Sequence, residues 1–492
     1  LSASTKHFKS TAVYTVLGFL PLGVSFILSP VYTYFLSAKD YGIVGLSTLL
    51  AAYLNIFLVF GADSAFSRYY FEYYRNKKIL NAFLSTTIIT VFIFSAVTGL
   101  LLYFFGEPIM LLFFKTTDFS FYPYIFFTFL TSVFSMVMVI VQQYYRNSEN
   151  LRGFSILSVS NLVASTAASL LGVVYLKYAA TGSIGGKMAG TLLVMIPYSI
   201  YILYSTGFVF RPAYFKKLLT YGFPVAIYLL VAIIFDNYDK VIIENEFGLS
   251  KLGIYNLAFT IAAVVNVFLA AIQAATYPTL YRNWSSHEAE KNTETRNTFT
   301  YIHLANCIVI CIITALFRPF MEYFINKTYI EAALYIPILA LMFIPRSYFI
   351  TYSTSLFYYK KTILLPLINL ISLGAGILAI KFYFAHFGIT GICCSVIFIK
   401  SVQAALAYFS VHIIERGSFR DKFALNRVHL INLVTFFLVT GATLFNACYS
   451  PSLVVSCIVF CIPLVFMSAV LYFLFKERLK KLFLTLKQST LG

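Results

Sequence analysis

Charge is what this chain has least of. Only 11% of its 492 residues are Asp, Glu, Lys or Arg, while 60% are hydrophobic and the mean hydropathy is +0.83. A soluble globular protein carries roughly 25% charged residues. A chain this long and this poor in charge excludes a water-covered surface over most of its area, so lipid is its solvent. Soluble inserts are also missing. The longest gap on the N-terminal side of the membrane, Thr279–Asn297, is too short to fold as a catalytic domain. Cysteine forms no framework: Cys307, Cys311, Cys393, Cys394, Cys457 and Cys461 lie in apolar runs and only Cys448 lies in a loop, so they read as small buried hydrophobes. No Cys or His cluster has zinc spacing. Gly185-Gly186-Lys187 lacks the earlier glycine and the following hydroxyl of a phosphate loop, which excludes ATP hydrolysis by this chain. A cleavable signal peptide is not expected, because the first apolar run, from Tyr14, is too long and lacks a small-residue cleavage site.

What is present is a series of apolar runs. A spanning helix needs roughly 20 apolar residues, and fourteen such runs can be marked, from Tyr14–Leu36 to Leu453–Phe475, with Leu430–Phe445 the shortest. Pro21, Pro30, Pro197, Pro224, Pro345, Pro366 and Pro463 fall inside them; membrane bundles accept such residues as kinks. The 38 Tyr residues suit headgroup belts.

Basic residues test the count. Of the 36 Lys and Arg, Lys240, Arg346, Lys381 and Lys400 lie inside runs. Lys39, Lys115, Lys177, Lys187, Lys251, Arg318 and Lys327 fall on one side, and the remaining 25 fall on the side of the N-terminus. Cytoplasmic loops carry the Lys and Arg excess. Both termini are therefore expected in the cytoplasm, with the bias persisting to the Lys476–Lys487 segment. The net charge of +18 fits basic loops on anionic lipid, not nucleic acid, for which there is no reading surface.

The chain repeats itself. Gly42, Ile43 and Leu46 match Gly253, Ile254 and Leu257 at a shift of 211, and Tyr178, Ile184 and Gly186 match Tyr383, Ile389 and Gly391 at a shift of 205. Six runs separate the copies, so both keep one orientation, as in the parallel repeats of secondary transporters.

With these motifs in place, a family resemblance follows. Phe215-Lys216-Lys217-Leu218-Leu219-Thr220-Tyr221-Gly222-Phe223-Pro224 leads into the seventh run; Asp239-Lys240-Val241-Ile242-Ile243 and Gly253-Ile254-Tyr255-Asn256-Leu257-Ala258 follow it. Asp40-Tyr41-Gly42-Ile43 and Gly61-Ala62-Asp63-Ser64-Ala65 with Arg68-Tyr69-Tyr70 precede it. In this order the motifs resemble the Wzx-type polysaccharide and O-antigen flippases of the multidrug/oligosaccharidyl-lipid/polysaccharide (MOP) superfamily. The resemblance implies an all-α polytopic membrane protein of about 14 transmembrane helices. Two pseudo-symmetric six-helix lobes, 1–217 and 218–428, would surround a central cavity, with two extra helices and a basic tail in 429–492. It implies alternating access, a polyprenyl-diphosphate-linked glycan as substrate, a cation or proton gradient or the membrane potential as driving force, and no enzymatic activity.

Ionisable residues inside the membrane are functional candidates by default. Asp236, Asp239 and Lys240 share one helix face. They can form a coupling site for Na⁺ or H⁺, helped by Asn369 and Thr390, or an ion-pair network that pins the seventh span. Arg346, after Pro345, and Lys400 can offer cations to a diphosphate, Arg in bidentate fashion, or can pair with acids on neighbouring spans. Lys381 is placed to snorkel. Arg68 can meet the diphosphate at the cytoplasmic mouth or anchor topology. No cofactor or structural metal is expected. Membrane lipids and glycan-assembly proteins are the other expected partners, in a bacterial inner membrane, in O-antigen, lipopolysaccharide or exopolysaccharide assembly. The competing readings are a lipid II flippase, a small-molecule antiporter of the same superfamily, and a membrane glycan polymerase. The Gly106–Pro123 loop speaks against the last, since Glu107 and Asp118 form no paired-carboxylate motif.

Overall fold

A computed structural model describes residues 3–285, 289–415, 423, 426–449 and 452–470. Lys476–Lys487, the last stretch of the basic bias, lies outside the described residues. Among the described residues every regular element is a helix. The helices are α1 Ala3–Phe35, α2 Ala38–Val59, α3 Ala62–Tyr73, α4 Lys77–Phe113, α5 Phe126–Asn147, α6 Leu151–Leu170, α7 Ala179–Thr206 and α8 Pro212–Ala262. They continue as α9 Val264–Ser285, α10 Ala289–Phe324, α11 Ala332–Leu341, α12 Phe343–Tyr358, α13 Leu364–Phe382, α14 Gly388–Ile414, α15 Asn426–Tyr449 and α16 Leu453–Val470.

Among the described residues thirteen helical stretches are long and apolar enough to cross a membrane, and one of them, Pro212–Gln273, has 62 residues. At 1.5 Å per residue that is about 90 Å, against a hydrocarbon core of roughly 30 Å, so this stretch contains two crossings. The break falls at Gly248, whose φ of 78° and ψ of 177° interrupt α8. Counted so, the structure has the fourteen spans expected. The tenth is split: α11 ends at Leu341 and α12 starts at Phe343, where Pro345 cannot continue the ladder.

The helices form two compact units. The first comprises Leu1–Leu257 with Asn369–Leu373, and the second Ala258–Ile368 with Gly374–Gly492. These units are drawn by contact, whereas the lobes 1–217 and 218–428 are drawn by repeat.

In the first unit α2 starts in a capping box. Ser37 Oγ accepts from the Asp40 N–H at 3.1 Å, and the Asp40 carboxylate accepts from the Ser37 N–H at 3.2 Å, which satisfies two orphan donors. Just beyond it the repeat meets itself. A Cβ on Gly42 would lie 2.1 Å from the Leu249 carbonyl oxygen, and a Cβ on Gly253 would lie 1.9 Å from the Ala38 carbonyl oxygen. Ala38 and Leu249 are themselves related by the shift of 211, so each contact is the mate of the other. That reciprocity is the signature of a two-fold axis, here running between Gly42 and Gly253. Gly45 and Asn256, the next such pair, also touch.

The same device holds α7 on α6. Gly182, Gly186 and Gly190 recur every four residues, and a Cβ on each would lie 2.3 Å from the carbonyl oxygens of Gly172, Ala168 and Ala164. Small residues let membrane helices approach to backbone contact. At the other end of α2, Gly61 (φ 73°) packs on Gly222 in the same way.

In the second unit, α15 and α16 dock on α10. Leu304, Cys307 and Cys311 meet Ile431 and Met467 in one buried cluster, and Phe317 meets Phe460 edge to face at 4.9 Å.

Candidate transport site

The seventh span, the first half of α8, carries the acidic candidates. Phe235, Tyr238 and Asp239 are buried, whereas Asp236 is exposed. Asp239 accepts a hydrogen bond from Tyr255, which is itself fully buried on the far side of the Gly248 break. Lys240 Nζ donates to Asn237 Oδ1 at 2.9 Å. Both carboxylates act on Lys240, and Asp239 acts more strongly than Asp236. Tyr53 of α2 feels the Asp239 charge and Tyr228 feels that of Asp236. Asp236, Asp239 and Lys240 thus lie together on one stretch of helix, with Lys240 donating to Asn237. Asn369 is buried and belongs to the same compact unit; Thr390 is exposed and belongs to the other.

The second unit carries the cations. Arg346 is half-buried in the first turn of α12 and has no acid partner among the described residues. Lys400 is buried in α14 with Gln403 on the same face, and α12 packs along α14. An aromatic row extends from this region: Tyr348 stacks on Tyr352, and Tyr352 meets Tyr408 edge to face at 5.4 Å. Arg68 is elsewhere, on α3, paired with Glu72 at 3.2 Å across one helical turn and largely exposed. Nearby, burial pushes the Asp63 carboxyl above the usual carboxylate range, opposed by hydrogen bonds from Ser64.

Two features escaped the sequence reading. Lys187, assigned by sequence to a loop, lies two turns inside α7; the helix starts at Ala179 because the preceding turn, with positive φ at Lys177 and Ala179, reverses the chain earlier than hydropathy indicates. The second is a buried polar node. His303 Nε2 faces Thr351 Oγ1 at 3.1 Å, and its Nδ1 faces Ser347 Oγ at 2.9 Å. The Asn432 amide donates to the same Nδ1 at 3.0 Å and accepts from the Cys307 thiol. An amide nitrogen can only donate, so Nδ1 accepts and the proton sits on Nε2. Counting His with Asp, Lys and Arg among the intramembrane residues would have found His303.

The chemistry available is therefore a half-buried guanidinium and a buried ammonium in one unit, a carboxylate group in the other, and hydroxyl and aromatic side chains between helices. The class this fold defines is an all-helical, multi-pass membrane protein. The fold is similar to the lipid II flippase MurJ in its inward closed conformation, with a TM-score of 0.67 at 16% identity over 95% of this chain and 98% of that one. It is also similar to a Vibrio cholerae MATE transporter (0.59, 14%, 84% and 97%) and to a MOP superfamily transporter from Pyrococcus furiosus (0.55, 14%, 82% and 95%). None of the curated proteins compared matches in sequence. The family model described as polysaccharide biosynthesis protein matches residues 8–284. The chain belongs to that polysaccharide biosynthesis family.

Proposed function

We propose that the chain is a flippase that moves a polyprenyl-diphosphate-linked glycan from the inner to the outer leaflet of a bacterial cytoplasmic membrane by alternating access. The observation that carries this reading is Arg346, a cation inside the membrane-spanning region with no acidic partner among the described residues. A charge at the bilayer centre costs roughly 2.5–3.5 kcal/mol on insertion scales, and an anionic cargo offsets that cost. Diphosphate offers paired oxygens to the guanidinium fork, with Lys400 as a second cation. In this reading residues 1–217 and 218–428 are the two lobes, related through the axis at Gly42 and Gly253, and 429–492 is an addition. Both termini face the cytoplasm, so the Lys39 end faces outward. The Asp236, Asp239 and Lys240 group binds the coupling Na⁺ or H⁺, with Asn369 and Thr390 as further candidates. Arg68, already paired with Glu72, acts only if cargo displaces that partner. O-antigen, capsule and exopolysaccharide units share the same diphosphate, and glycan-assembly proteins would supply and receive them.

The test uses purified protein in liposomes that hold a fluorescent polyprenyl-diphosphate oligosaccharide, with an impermeant quencher outside. Arg346→Ala is expected to slow exposure of the inner-leaflet glycolipid at least about tenfold, since truncating one side of a buried charge pair costs about 2–5 kcal/mol. Arg346→Lys should recover part of it. An Arg346→Ala protein that flips at the wild-type rate would remove the diphosphate role. Lipid II is the second cargo to run, because the likeness to MurJ covers 95% of this chain.

A further inference from the structure

At the Lys39 end of the first unit three segments close on one another: 36–42, 114–118 and 244–253. Around them lies a cavity of about 370 Å³ lined by Lys39, Lys115, Asp118, Glu244 and Ser250 among others. Glu244 is its buried acid. One carboxylate oxygen accepts from the Lys115 N–H at 3.0 Å and the other from the Thr116 N–H at 2.9 Å. Asn245 Oδ1 also accepts from the Lys115 N–H, at 2.9 Å. Two ion pairs flank the clasp, Lys39 with Asp118 at 2.9 Å and Lys115 with Glu246 at 3.5 Å.

We infer that Glu244 is a proton-released latch at this end of the molecule, a coupling residue separate from the Asp239 group. The inference rests on the alternating-access reading, in which this end must open. Polar contacts and bare backbone crossings close it: the carboxylate clasp, the two exposed ion pairs, and Gly42 on Leu249 with Gly253 on Ala38. The clasp is specific to the ionised form. A carboxylate presents acceptors on both oxygens; on protonation one oxygen becomes a hydroxyl that itself donates, so one of the two facing N–H groups loses its partner. Charge-assisted bonds are roughly twice as strong as neutral ones, so proton uptake weakens the clasp twice over.

The charged groups around Glu244 leave it as the odd carboxylate. Asp118 on the 114–118 segment is held by Lys39 of α2, and Glu246 on its own helix is held by Lys115. Asp40 is engaged in the α2 capping box. Lys251 follows the turn. Within α8, Lys240 lies one turn below Glu244 and Asp236 one turn below Lys240, so the three form a row on a single helix face, each about 6 Å from the next. A proton arriving from the Lys39 side meets Glu244 first and the Asp239 group second. The sign follows: the latch is held where Glu244 is ionised, at higher pH, and released as the pH on that side falls.

The experiment measures distances in full-length protein in lipid nanodiscs, with spin labels on Thr117→Cys and Ser250→Cys in a Cys448→Ser background. Wild type is expected to show one short population at pH 8 and a longer one that grows about tenfold in weight at pH 5. Glu244→Gln, which keeps shape and loses charge, should show the longer population at both pH values. Glu244→Asp should keep the pH response, and it decides the matter should the Gln variant fold poorly. Distances that do not change with pH in wild type, or a Glu244→Gln protein with the wild-type response, overturn the latch. No cargo is present, so the latch can fail while glycolipid flipping persists. A pH-dependent distance with no flipping would instead remove the substrate reading and leave the latch standing.

Discussion

Asp239 is 2% exposed and takes a hydrogen bond from Tyr255, which is fully buried. A donor on a carboxylate competes with any cation for the same lone pairs. Tyr255→Phe is therefore expected to raise the apparent affinity for the coupling cation about five- to tenfold, the equivalent of one net hydrogen bond of about 1–1.5 kcal/mol. Asp239→Asn should abolish the dependence of flipping on the Na⁺ or H⁺ gradient. Titrating flipping rate against cation concentration checks both, and an Asp239→Asn protein with wild-type ion dependence would move the coupling site elsewhere. At this scale the sequence was informative about which residues are costly and poor about their partners. Asp236, Asp239 and Lys240 were legible from the spacing of charges in an apolar run. That Asp239 accepts from Tyr255 was not, because Tyr255 arrives only after the break at Gly248. Arg68 read as a diphosphate contact or a topology anchor, and its pairing with Glu72 four residues on is one that helical periodicity could have supplied.

Helices in lipid gain nothing from burying apolar surface against one another, so what sets their contacts is how closely backbones can approach. Gly253 and Gly186 make such approaches, with no room for a Cβ, while Gly441 on α15 has nothing within 4 Å of its Cβ position. Gly253→Val and Gly186→Val are each expected to destabilise by about 1–3 kcal/mol, the usual cost of overpacking, and to lower the Tm in detergent by several degrees; Gly441→Val should leave it unchanged. Equal melting of all three would show that these crossings are loose. The Gly42–Gly253 match was visible in the sequence as a repeat, and its meaning as a contact became clear only with the reciprocal approach of Ala38 and Leu249. The period-four glycines Gly182, Gly186 and Gly190 of α7 were equally visible in the sequence, but their spacing does not name the helix they approach. Span ends were less legible than span existence. Hydropathy cannot see a turn such as the one before Ala179, so Lys187 was placed outside its helix.

At the scale of the whole molecule, the fourteen spans follow from composition and charge alternation, since only helices satisfy their backbone in lipid without partners. How the last two attach does not follow, since nothing in an apolar run names its neighbour. The attachment observed is part apolar and part polar. Met467 and Ile431 pack on Leu304, Cys307 and Cys311, and Asn432 reaches across from α15 to His303 and Cys307 of α10. The apolar part is interchangeable with lipid tails; the polar part is not, because an Asn432 amide turned to lipid would leave both its donor and its acceptor unpaired. The node therefore sets where α15 sits along α10. It is also fully committed: Asn432 Nδ2 on His303 Nδ1, Asn432 Oδ1 on the Cys307 thiol, His303 Nε2–H on Thr351, and the Thr351 hydroxyl on the Ser347 carbonyl at 3.0 Å. Asn432→Ala removes two bonds at once, leaving the Cys307 thiol without its acceptor and His303 Nδ1 with Ser347 Oγ alone, at a cost of about 1–3 kcal/mol. Cys307 is fully buried in the native protein and serves as its own reporter. A membrane-permeant maleimide is expected to leave Cys307 unmodified in wild type and to label it at least about tenfold faster in Asn432→Ala. Asn446→Ala, which loses the bond from Ser456 and the bond to the Ala442 carbonyl near the far end of α15, should keep the protection. If Asn432→Ala protects Cys307 as well as wild type does, the helix pair is held by its apolar contacts alone, and the node has no part in docking it.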